Sequence, residues 1–190
     1  PAAAPPAAAP APAPARPAAP SAPAAAAAPT SRQQIAKDLF LRGREKWLAR
    51  DYHEAVPLLT ASNEQSERAG TLLLLGECQE LLGLVRTARD TYQRAALVAR
   101  HERDSNLEYT ATAREEAVVP KIPQIEVRFS PPSKDTLVTL NGAELPHELL
   151  NRAMMIDSGQ YRIEVRAPGY LPSGASVELA STGAPQRGVQ

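Results

Sequence analysis

From Ser31 to Val118 the apolar residues recur at steps of three and four; beyond Pro123 they recur at steps of two. The first rhythm marks one face of a helix and the second one face of a strand. Five helices follow. The first starts at Ser31, read as an N-cap with Gln34 three residues on, as in a capping box. It carries Ile35, Leu39, Phe40, Gly43, Trp47 and Leu48 before Arg50-Asp51-Tyr52 interrupts it. The second carries Tyr52, Ala55, Val56, Leu59 and Ser62, with Pro57 inside it at the expense of one hydrogen bond and a small kink. The third covers about 68–82, with Leu72, Leu73, Leu75, Gly76 and Leu81, and stops at Gly83. The fourth covers about 85–99, with Ala88, Tyr92, Ala95, Ala96 and Leu97. The fifth covers about 104–118, with Leu107, Ala111, Ala113 and Ala117, before Pro120 and Pro123 end helix formation.

Four strands follow at 125–129, 137–140, 161–165 and 176–179. Asn141-Gly142 after the second is a hairpin turn signal. These spacings predict a small antiparallel β-sandwich. The fold class expected is therefore α+β in two domains, helical over 31–119 and β over 120–182.

Composition adds two tails. Residues 1–30 hold 17 Ala and 10 Pro, more than half of the chain's 19 prolines. Such a tract buries little and lacks amide donors, so it predicts a disordered spacer biased to polyproline II. Residues 183–190 are expected to fray. Charge removes several function classes. Lys+Arg and Asp+Glu number 21 each, and neither half carries a basic cluster, so nucleic acid is not the expected ligand. No apolar run is long enough to span a bilayer. The one cysteine, Cys78, permits no internal disulfide and is expected to be a packed residue.

Candidate chemistry is sparse. His53, His101 and His147 fit no metal-ligand spacing, so no metal or cofactor is expected. Glu77 and Glu80 share a helical face, but no nucleophile, oxyanion donor or phosphate-binding glycine loop accompanies them. The serines in Asp157-Ser158-Gly159 and Gly174-Ala175-Ser176 precede no helix, so neither is a nucleophile elbow. A non-enzymatic protein is expected.

The helical half also repeats. Gly43 and Gly76 are 33 residues apart, as are Ala55 and Ala88. A period near 33–34 with paired helices points to stacked helical hairpins. Leu72, Leu75-Gly76, Gly83, Ala88, Tyr92 and Ala95 in the second copy resemble the tetratricopeptide (TPR) repeat. The first copy matches at Leu39, Gly43, Asp51-Tyr52 and Ala55, with Arg42 where a leucine is usual. The resemblance implies two repeats capped by the fifth helix, with Gly43, Ala55, Gly76, Ala88 and Tyr92 as repeat-packing residues. It also implies a peptide groove lined by Lys37, Phe40, Arg44 and Trp47 from the first repeat and Leu73, Glu77 and Glu80 from the second. The β half resembles PEGA-like domains at Val138–Gly142, Asp157–Val165 and Ala167-Pro168-Gly169-Tyr170. Ser158 replaces a usual proline, and Pro131-Pro132-Ser133 replaces the naming motif.

Together these resemble cell-envelope proteins of Gram-negative bacteria. They imply a periplasmic scaffold that binds other proteins and assembles or stabilises an envelope complex, after removal of a secretory signal. Two alternatives stay open: a cell-wall glycan-binding module, and a regulatory segment of a longer kinase-like chain. Phe129, Tyr161 and Tyr170 are the aromatics of the β half, and alternation turns most of them inward, against the glycan reading.

Overall fold

A computed structural model describes residues 31–128 and 135–180. The expected spacer 1–30, the tail 183–190, Phe129 and Pro131-Pro132-Ser133 lie outside them. Five helices come first: α1 (Ser31–Leu48), α2 (Tyr52–Gln65), α3 (Ala69–Leu81), α4 (Val85–Glu102) and α5 (Ser105–Val118). Six strands follow among the described residues: β1 (Gln124–Glu126), β2 (Leu137–Leu140), β3 (Ala143–Glu144), β4 (Ala153–Met155), β5 (Gly159–Arg166) and β6 (Ser173–Leu179). The chain is thus α+β, with helices preceding an antiparallel β region.

Each helix packs on the next, and α3 also touches α1 and α5. That central place explains why α3 is apolar around most of its circumference. Small residues set the approach distances. Gly43 of α1 is buried against Leu59 of α2, where a Cβ would stand 2.9 Å from the leucine Cγ. Gly76 of α3 faces Tyr92 of α4, where a Cβ would stand 2.6 Å from the ring. Ala55 and Ala88, 33 positions apart, are both fully buried in the helix opposite.

Boundaries depart from expectation in three places. Ser31 is already helical, so it is not the cap of α1. Asp104 lies just outside α5 and caps it, its carboxylate accepting from the Leu107 amide at 3.0 Å. At the junction, a 3-10 turn over Val119–Lys121 leads to Ile122 and Pro123, both buried. Ile122 packs with Val85, Ala88, Tyr92 and Val118, so the prolines mark a packed joint and not a loose linker.

The strands form a four-stranded sheet in the order β3-β2-β5-β6 and a two-stranded sheet of β1 with β4, all antiparallel. Ile125, Val138, Ile163 and Leu179 from the two sheets meet in one core with Leu145 and Leu150. Asn141 and Gly142 take φ of 50° and 81°, the doubly left-handed pair that a two-residue hairpin between β2 and β3 requires. The Asn141 side chain also accepts from the Arg162 amide at 2.7 Å, fastening the turn to β5. Two strands escape the sequence pattern: β3, with two residues, and β4, whose Ala-Met-Met shows no alternation. Of the strand expected at 125–129, the described residues pair as Gln124–Glu126.

Candidate functional site

The helices α1 and α3, with the α2–α3 connection, enclose an open cavity of about 350 Å³. Its size falls in the range of ligand-holding clefts. Ala36 and Phe40 supply apolar wall, and Lys37 and Arg68 supply positive charge. Ser62 sits beneath, buried, with its hydroxyl donating to the Ala36 carbonyl at 2.7 Å and tying α2 to α1. Arg68 reaches Glu102 at 3.5 Å, whereas Lys37 is exposed and has no ion-pair partner among the described residues.

The seven expected groove residues divide. Lys37 and Phe40 line this cavity. Arg44 is exposed on α1, one turn beyond Phe40. Trp47 departs from expectation. Its ring packs, as that of Phe40 does, against the cluster of Ala55, Leu59, Leu75 and Cys78, but it does not line the cavity, and its buried indole N–H finds no acceptor among the described residues. Leu73 likewise packs inward, against the clusters around Ala95 and Tyr92. Glu77 is half-buried. Glu80 is no free groove carboxylate. It accepts from the Tyr92 hydroxyl at 3.2 Å and from Lys121 Nζ at 2.7 Å, with Arg114 at 4.0 Å. It therefore ties α3 to α4, α5 and the junction. Arg114 and Lys121 lie 34 and 41 residues away along the chain. No local pattern announces such pairs.

Cys78 is buried and free. Desolvation, and then the nearby Glu77 carboxylate, push its thiol from an ordinary 9.0 to about 11. Desolvation and Glu80 also raise the Tyr92 phenol. Both folded values exceed the unfolded ones, so both groups add stability that is whole below the unfolded values and is lost as pH rises. Stability should therefore fall as pH climbs from about 9 to about 11. Urea midpoints measured across that window check this. Cys78→Ala should flatten part of the slope, and an unchanged slope would remove the thiol from the account.

A second junction lies where the β half meets the α3–α4 turn. The amide of Thr87, third residue of α4, donates to Asp157 Oδ1 at 3.0 Å, and the Thr87 hydroxyl to Oδ2 at 2.5 Å. Leu84, the local N-cap residue, makes no side-chain cap. Asp157 thus caps α4 from 70 residues away. The Ser158 hydroxyl donates to the Gly83 carbonyl. Gly83 has φ +80°, and a Cβ there would stand 2.6 Å from the Ser158 hydroxyl oxygen, so glycine serves both needs. The Tyr161 hydroxyl donates to the Asp157 carbonyl at 2.9 Å and holds the loop in place. Asp157→Ala should cost about 1 kcal/mol and Asp157→Asn less, because the amide oxygen still accepts. Hydrogen exchange at the Thr87 amide reads the difference. Equal exchange rates in all three proteins would show that the cap contributes nothing.

Of the three aromatics, most of them expected inward, Tyr170 is 80% exposed, beside Leu171 at 91%, and Phe129 lies outside the described residues. Tyr161 is half-buried against the β core. Among the described residues no three His, Cys, Asp or Glu side chains gather as a metal site, and no helix is long and apolar enough to cross a membrane. Comparison with known protein families, with characterised proteins and with solved structures finds no match for this chain.

Proposed function

We propose that the chain is a non-enzymatic scaffold that binds other proteins and assembles or stabilises a complex in a bacterial cell envelope. In this reading α1–α4 are two tetratricopeptide-type repeats, α5 caps them, and the β half is a PEGA-like sandwich. The α1–α3 cavity carries the reading. Its apolar wall at Phe40 beside Lys37 and Arg68 suits an extended peptide with an acidic group. The repeat reading draws on the equivalent contacts of Gly43 with Leu59 and Gly76 with Tyr92. Periplasmic location rests on the family resemblance alone.

Lys37→Glu with Arg44→Glu inverts the charge of the α1 face and leaves the inward Trp47 untouched. Crosslinking and recovery from native envelopes should then yield at least about tenfold less of the partners held by the wild type, with an unchanged melting curve. Equal recovery of the same partners would sink the groove reading.

One observation favours a second reading, wall glycan as ligand: the exposed ring of Tyr170 is suited to stacking on a sugar. Binding of the whole chain to cell-wall sacculi, lost in Tyr170→Ala, would support it.

A further inference from the structure

The four-stranded sheet ends on two unlike edges. At one edge β3 is two residues long, carries Glu144 and runs toward Pro146. Short length, charge and proline are the usual defences against a stray strand. The other edge, β6, is more lightly defended, by one charge and by Pro172 just before it. It runs seven residues, contains no Lys, Arg or Pro, and bears one charge, Glu178. Strand β5 covers one side of it from Gly159↔Leu179 to Val165↔Ser173. No strand lies on its other side among the described residues. Leu179 is buried and Ala175 and Val177 are half-buried, while Gly174, Ser176 and Glu178 are exposed.

We propose that β6 pairs with β6 of a second copy of this chain, antiparallel about a twofold axis at Ser176, joining two sheets into one of eight strands. This goes beyond the groove and does not rest on it. A second copy is the occupant that the strand's own residue pattern fits. About that axis Ser173 faces Leu179, Gly174 faces Glu178, Ala175 faces Val177, and Ser176 faces its own counterpart. This centring pairs all seven residues. Partners differ by an even number, so each core face continues into the other copy's core face. The single charge on the strand meets a glycine twice over and never its own kind. Centring on Glu178 would set the two carboxylates against each other, which disfavours that register. The symmetry is isologous and closes at two copies.

Sedimentation equilibrium of the whole chain tests this with Ser176→Lys and Ser176→Glu, both at an exposed position on the outer face. The wild type should show a reversible monomer–dimer equilibrium. Each variant alone should dimerise about tenfold more weakly, since like charges meet at the axis. An equal mixture should regain dimers holding one copy of each, with Lys facing Glu. Thermal melts establish that both variants fold. A monomeric wild type at every concentration overturns the proposal. So does a mixture no better than its components. A result in which one sign weakens association and the other strengthens it would place β6 against a charged surface elsewhere on the second copy, and overturns the proposal equally.

Discussion

Tyr92→Ala is expected to lower the unfolding free energy by about 3–5 kcal/mol, the range for an aromatic removed from a packed core. The ring is 1% exposed and sits among Val85, Ala88, Val118 and Ile122. Its far end holds Glu80, which in turn holds Lys121. Truncation therefore opens a cavity and unfastens α4 from α3 and from the junction together. Tyr92→Phe separates the two effects. It keeps the ring, loses one hydrogen bond to a carboxylate, and should cost about 1–2 kcal/mol. Denaturant titration of the three proteins decides the matter. A loss for Tyr92→Ala no larger than for Tyr92→Phe would mean that the ring packs loosely.

Gly76→Val should cost about 3 kcal/mol by overpacking. The obstacle is the Tyr92 ring, which its hydroxyl bond to Glu80 keeps from swinging away. Residues in contact couple, so the same change in a Tyr92→Leu background should cost less, with a coupling energy of about 1–2 kcal/mol. Additive losses would show that the two helices adjust independently. Helix propensity acts the other way, since glycine is the poorer helix former by about 1 kcal/mol against alanine. Steric contact is expected to prevail at Gly76 because the neighbour is a ring fixed at both ends.

These two residues also show what the sequence discloses. The 33-residue spacing of small residues points to close helix contacts, and Gly76 does meet Tyr92. Helix ends marked by local chemistry, such as Gly83, fall within a residue or two of expectation. The groove was less legible. Trp47 and Phe40 stand on the same side of α1 and both pack against the cluster of Ala55, Leu59, Leu75 and Cys78, and helical position alone does not say that only Phe40 also lines the cavity. Glu80 looked like a free carboxylate because Arg114 and Lys121 are remote in sequence. Strand β4 is set by its pairing with β1, whose register holds Gln124↔Met155 and Glu126↔Ala153. Neither its length nor its own pattern would reveal it. Asp157-Ser158-Gly159 was legible as a turn, but its role as a cap depends on a helix 70 residues upstream.

That remote cap has a consequence for the order in which the chain becomes structured. Synthesis runs from the N-terminus, so α4 is complete well before residue 157 leaves the ribosome. Until then the first turn of α4 lacks the side chain that satisfies its Thr87 amide. The nascent helical half should therefore fray at the α3–α4 turn and tighten only when the β half arrives. A chain halted near residue 119 would be weaker there than the finished protein, although every residue of the five helices is present.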